Sequence, residues 1–214
     1  TTLGFNNLIE DRFAAGHLPG YFLALSWWKA LAGSSEIALR LPCFLVTLAS
    51  LPFLMTFTRQ LFTRRLALLT GWLFAIHQLV IWTAQTARPY AFVLLAVSIM
   101  AWALVRWWGS GSKRYLLFLL LGALPGIITH ALTLPVMLAF IVALLTLLRK
   151  DLRRAGAAIL TLLLPLTISL LFAQNMAGQQ ENFQSPELGF PFALIPDSLS
   201  TVYLGDYTFL FGGS

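Results

Sequence analysis

Arg114–Lys150 reads RYLLFLLLGALPGIITHALTLPVMLAFIVALLTLLRK, and the number of times this stretch crosses a membrane decides the fold. Between its basic flanks, Tyr115 to Leu148 runs 34 residues without a charge. That is too long for one ordinary span of roughly 20 residues and short for two. Ile128-Thr129-His130 and the prolines at 125 and 135 interrupt the run, which predicts two short spans joined by a tight turn. Charge agrees, because a single crossing would put Arg149, Lys150, Arg153 and Arg154 on the opposite face from Lys113 and Arg114.

The remainder of the chain is of the same kind. It is 58% hydrophobic and 10% charged, with a mean hydropathy of +0.80. Soluble domains carry roughly 25% charged residues, so the composition is that of an all-α, polytopic membrane helix bundle. Six spans are expected: Ala38–Phe57, Leu66–Thr83, Ala91–Trp108, Tyr115–Thr129, Ala131–Leu148 and Ala155–Phe172. They divide the chain into an extracytoplasmic loop over 1–34, a bundle over 35–174 and a second extracytoplasmic loop over 175–214. The lone Cys43 excludes an intramolecular disulfide and a cysteine metal cluster, and reads as a core or lipid-facing residue.

With six spans, the connections TRQLFTRR, RWWGSGSKR and RKDLRR fall on one side and hold ten of the fourteen basic residues against one acid, Asp151. The other side holds Arg12, Lys29, Arg40 and Arg88 against the remaining seven acids. The positive-inside rule makes the ten-residue side cytoplasmic. The net charge of +6 is thereby a topological signal and headgroup contact, and no nucleic-acid partner is expected.

This orientation places the N-terminal residues outside, although no signal peptide precedes them. The helix expected over Gly20–Gly33 reaches only about 21 Å at 1.5 Å per residue, short of the roughly 30 Å hydrocarbon core. Its Trp27, Trp28 and Lys29 suit a helix lying in the interface. The expectation is a segment of a larger protein, lacking a first span and later ones.

Candidate chemistry gathers on the outward side. TAQTARPYA, Thr83–Ala91, sets Gln85, Arg88 and Tyr90 around Pro89 between two spans. An arginine at a span end can simply snorkel to the interface. Its fork also suits phosphate oxygens, and the adjacent proline fixes the chain. Gln85 and Tyr90 could hold sugar hydroxyls, orient the arginine, or only cap and anchor. His17 in GHLPGYF is an interface residue or a contact residue. His130 at the turn apex is a metal ligand, a donor contact or an internally satisfied turn histidine. His77 lies within a span and reads as structural. Glu36 and Arg40 are spaced as an i,i+4 pair at a helix start.

GHLPGYF (16–22), SSEIALRLP (34–42), TAQTARPYA (83–91) and THA (129–131), in this order, resemble the run of motifs in the polytopic glycosyltransferases of family 39. These belong to the GT-C superclass, with the protein O-mannosyltransferases and lipid A aminoarabinose transferases. The resemblance covers roughly residues 10 to 150. It implies an integral-membrane enzyme of the cell envelope, of the bacterial inner or plasma membrane, with its active face extracytoplasmic. Such an enzyme moves a sugar from a polyprenyl-phosphate carrier to a lipid, glycan or protein acceptor. It implies substrate-binding roles for Arg88, Gln85, Tyr90, His17, Tyr21 and His130, and a cavity-wall role for Glu36 and Arg40. A divalent metal is a possible cofactor, with no metal ligand assigned. The general-base acid of the family lies upstream of residue 1, and Asp11 and Glu10 do not align with it. Ala15, Leu18 and Thr86 depart from the family pattern, and Thr86 stands where a glutamate would be a candidate metal contact. Two other readings remain: a homologue that binds a lipid-linked sugar without transferring it, and a transporter or membrane subunit. Against transport, the spans hold almost no ionisable groups near mid-membrane.

Overall fold

The computed structural model of the chain describes residues 19–180, with side chains over 20–171. The described residues form eight helices and no strand: α1 (Pro19–Ala32), α2 (Glu36–Leu61), α3 (Arg64–Ile76), α4 (Gln78–Gln85), α5 (Tyr90–Ser110), α6 (Arg114–Thr129), α7 (Thr133–Leu147) and α8 (Leu152–Gln180). The ends follow local chemistry. Ser35 Oγ accepts from the Ala38 N–H at 3.2 Å and opens α2, and Thr63 Oγ1 accepts from the Leu66 N–H at 3.3 Å and opens α3. Gly111 closes α5 at φ +67°, a left-handed conformation that favours glycine.

Among the described residues, three helices are long and apolar enough to cross a membrane: α2, α5, and α8 over Leu152–Leu171. The expected second span is continuous in sequence but broken in structure. Helices α3 and α4 meet at His77 with a bend of 57°. No proline or glycine causes the break. His77 is extended, at φ −70° and ψ 123°, and its Nδ1 accepts from the Leu79 N–H at 3.2 Å. The histidine ends one helix and caps the next, which accounts for a polar residue inside an apolar run.

The stretch from Arg114 to Lys150 folds back on itself. Helices α6 and α7 have 16 and 15 residues, about 24 and 22 Å at 1.5 Å per residue. Each is shorter than the roughly 30 Å of a hydrocarbon core. The expected six spans thus resolve into three full-length helices, one broken pair and two short apolar helices. Pro125 sits inside α6, and Thr129 Oγ1 donates to the Pro125 carbonyl at 2.8 Å. Pro135 lies in the first turn of α7, where the missing N–H has no helical partner to lose.

The core runs through α5 to α8 as Met100, Ala103, Trp107, Leu119, Ile127, Met137 and Leu162, among others. Its tightest part is the contact between α5 and α6. A Cβ on Gly122 would meet the Ala96 carbonyl oxygen at 3.1 Å, and one on Gly126 would meet Ala96 Cβ and Thr133 Cγ2, both at 2.8 Å. Gly122 and Gly126 form a small-xxx-small pair that lets two backbones approach within the bundle.

The connections sort to two ends. At the basic end, Trp107 Nε1 donates to the Arg154 carbonyl at 2.9 Å. The Arg154 guanidinium donates to the Trp108 carbonyl and pairs with Asp151 at 3.2 Å. This fastens the last turn of α5 to the first turn of α8. At the opposite end stand Gly20, Cys43, Arg88 and His130. The charge sorting read from sequence is therefore spatial, with Gln60, Arg106 and Leu147 around one cleft at the basic end.

Replacing Gly126 with leucine is expected to separate α5 from α6 and lower stability by about 1–3 kcal/mol, the usual cost of overpacking a filled core. The thermal unfolding midpoint of the detergent-solubilised protein measures this. An unchanged midpoint would mean that the close approach carries no stability.

Candidate functional site

At the polar end, α1 packs closely against α6 because Gly20 carries no side chain. A Cβ there would sit 2.4 Å from Ile128 Cγ2 and 2.7 Å from the Ile128 carbonyl oxygen. The contact brings the start of α1 against the last turn of α6. Tyr21 follows at 1% exposure, with Cys43 equally buried. Its ring stacks edge-on against Phe22 and Phe92, with centroids 5.3 and 5.6 Å apart. Trp28 Nε1 donates to the Ala38 carbonyl at 2.7 Å and ties α1 to α2.

The Tyr21 hydroxyl lies 3.8 Å from Cys43 Sγ, and Cys43 Sγ donates to the Arg88 carbonyl at 3.4 Å. Since the thiol proton is used toward Arg88, the tyrosine is the donor to sulfur. The order is Tyr21 to Cys43 to the backbone of Arg88. Burial first, and then the neighbouring Cys43, push the Tyr21 hydroxyl well above its ordinary pKa. It stays a neutral donor across the working pH range.

The loop that carries Arg88 is held from its other side as well. Thr86 accepts no helix continuation. Its N–H and hydroxyl both donate to the Trp82 carbonyl, at 3.0 and 2.9 Å. The Arg88 N–H donates to the Thr86 carbonyl at 2.9 Å. Pro89, at φ −67°, then opens α5. The Arg88 backbone is thus fixed while its side chain is exposed. That guanidinium makes no ion pair with any described residue. Gln85, the last residue of α4, is also exposed.

Tyr90 begins α5 between two rings. Its centroid lies 5.8 Å from Trp82 and 5.2 Å from His130. His130 Nδ1 accepts from the Leu132 N–H at 3.0 Å, which sets the ring in the turn between α6 and α7. Glu36 and Arg40 pair at 2.5 Å with both side chains exposed, as their spacing predicts. An exposed pair of this kind contributes little.

The fold therefore gathers Tyr21, Arg88, Tyr90 and His130 at one end, with Gln85 on the adjoining helix turn. His17, Asp11 and Glu10 lie outside the described residues, as do Ala15 and Leu18. Cys43 and Trp82 belong to the same cluster and were not foreseen there. Cys43 directly follows the SSEIALRLP run and Trp82 directly precedes TAQTARPYA, and adjacency to a motif was their only sequence signal. No group of three His, Cys, Asp or Glu among the described residues could hold a metal ion. The described residues do not fit a divalent cation.

An all-helical integral membrane protein with one polar, arginine-bearing end and one basic end is the class that fold and site define. Residues 16–174 match the dolichyl-phosphate-mannose-protein mannosyltransferase family, and the chain belongs to that family. It is thereby a relative of the GT-C membrane glycosyltransferases. No curated protein and no solved structure matches the chain.

Tyr21→Phe deletes the hydroxyl that donates to Cys43 while keeping the ring. The expected cost is about 1 kcal/mol, that of one net hydrogen bond, read as a lower thermal midpoint. Tyr21→Ala is expected to cost about 3–5 kcal/mol, as a truncated core aromatic does. Equal midpoints for Tyr21→Phe and the native chain would dissolve the proposed relay to Arg88.

Proposed function

We propose that this chain takes part in transferring a sugar from a polyprenyl-phosphate carrier to an acceptor at the polar end, on the extracytoplasmic face. The observation that carries the reading is Arg88, whose backbone is pinned by Cys43 and whose guanidinium remains exposed and without an ion pair among the described residues. A carrier phosphate sits at headgroup depth, where a bundle-end loop also lies. A delocalised, permanently charged fork can take two of its oxygens at once.

In the transfer, the acceptor oxygen attacks the anomeric carbon and loses its proton to a base. The bond from that carbon to the phosphate oxygen breaks, and the carrier phosphate leaves with the electron pair. Arg88 stabilises the charge growing on the leaving phosphate, and because its backbone is already held, little reorganisation accompanies the reaction. Tyr90, whose ring is held against Trp82 and His130, offers a hydroxyl that suits a sugar hydroxyl. Gln85 supplies an amide for a hydroxyl. Tyr21 acts at one remove, through Cys43, as a positioning residue.

The base comes from outside residues 20–171. The family resemblance likewise implies a base upstream of residue 1; of the two described carboxylates, Glu36 stands exposed beside Arg40 and Asp151 is held by Arg154 at the far end. The extracytoplasmic assignment rests on charge: the basic end collects ten of the fourteen Lys and Arg residues. The acceptor is a hydroxyl-bearing or phosphate-bearing group of a lipid, glycan or protein.

Arg88→Ala in the full-length protein is expected to lower transfer from a lipid-linked donor by roughly 10²-fold or more, the scale of removing one preorganised charge-stabilising donor. Arg88→Lys should recover only part, since an ammonium lacks the fork. Radiolabelled sugar transfer in membranes, normalised to inserted protein, measures both. Full activity in Arg88→Ala would overturn the phosphate contact.

A further inference from the structure

The bundle also has an opening away from the polar end. A cleft of about 630 Å³ lies at the basic end, between the C-terminal halves of α2, α5 and α7. This is within the roughly 300–1,000 Å³ of sites that enclose a small ligand. Its walls are apolar, with Phe57, Leu104, Phe140 and Leu144 among them, and Gln60 and Arg106 are polar residues in its lining.

Two observations say what such a cleft takes. Gln60 Nε2 is buried and has no hydrogen-bond partner among the described residues. A buried amide donor left unmade is costly, and a turn of the Gln60 side chain toward the cleft it lines would let a ligand oxygen meet that donor. The second is charge. Arg106 is exposed and makes no ion pair with any described residue. Arg59, Arg64, Arg65, Lys113, Arg149 and Lys150 lie on the connections at the same end, where the one acid, Asp151, is already taken by Arg154. Apolar walls within the bundle, an unmet amide donor and unpaired cations together specify an amphiphile with an acyl chain, ester or phosphate oxygens, and a negative headgroup.

We infer that this cleft is a binding site for an acidic glycerophospholipid of the leaflet at the basic end. One acyl chain lies between α2, α5 and α7. Gln60 Nε2 donates to an ester or phosphate oxygen, and Arg106 holds the phosphate. The site is separate from the proposed sugar-transfer end and does not depend on that reading. Basic residues near an anionic leaflet are drawn to it by a diffuse surface attraction. The cleft adds a stereochemical fit for one molecule to that diffuse attraction.

Native mass spectrometry of the full-length protein, released from vesicles of equal parts phosphatidylglycerol and phosphatidylcholine, tests this. The native protein should retain one phosphatidylglycerol about tenfold over phosphatidylcholine. Arg106→Gln and Gln60→Leu should each abolish that preference, and Arg106→Lys should keep most of it. Ala143→Trp, which fills the cleft from α7, should remove the bound lipid altogether, whereas Arg88→Ala should leave it in place. Equal retention of the two lipids by the native protein would overturn the proposal. So would a preference insensitive to Arg106→Gln and Ala143→Trp, which marks diffuse attraction to the basic end. A cross-link from Gln60→Cys to another protein segment, with no lipid retained, would show that protein fills the cleft and would equally reject it.

Discussion

The approach of α5 to α6 across Gly122 and Gly126 is the constraint on which the rest of the structure depends. Lipid tails are as apolar as leucine, so helix association in a membrane rests on packing and hydrogen bonds more than on apolar burial. Two backbones that meet at glycine and alanine gain that packing. The pair is antiparallel, so the contact also sets register. It places Tyr90, the first residue of α5, beside His130, the residue that ends α6, with ring centroids 5.2 Å apart. A larger residue at 126 would move both Ala96 and Thr133, and with them the turn that carries His130.

From that register the polar end assembles by short-range contacts. Gly20 admits α1 against Ile128, and Tyr21 reaches Cys43, which holds the Arg88 carbonyl. The arrangement spends hydrogen bonds on the backbone of the arginine and none on its guanidinium. That division is what an anion site needs: a charge free to meet phosphate, on a frame that does not move when it does so. At the other end the pattern is reversed for Arg154. Its guanidinium is consumed by Asp151 and the Trp108 carbonyl, which makes it a fastening between α5 and α8. Two arginines of one chain thus have different roles, and their partners distinguish them.

Much of this was legible in sequence where a residue type has one dominant physical outcome. Charge-free runs gave apolar helices, and the Glu36–Arg40 spacing gave a pair. The hairpin of α6 and α7 was legible from length and charge together. The break at His77 was not. Hydropathy averages over a window, so one polar residue in an apolar run looks tolerated, and a histidine that caps a helix with its own Nδ1 leaves no compositional trace. Cys43 escaped for a related reason: a thiol donates weakly and behaves elsewhere as a small apolar residue. Only its place between Tyr21 and Arg88 makes it a bridge.

By itself, then, the sequence determined the class, the approximate helices, the segregation of charge and the four motifs that carry the family resemblance. These depend on local hydrophobicity, charge and order along the chain, which are present before folding. Tertiary structure alone decided that Tyr21 is buried and Arg88 exposed, that the rings of Trp82 and His130 both meet Tyr90, and that an apolar cleft lies beside Gln60 and Arg106. Those facts depend on which surfaces meet across gaps of tens of residues, here through backbone approach at glycines, and no local property of the chain encodes such a meeting.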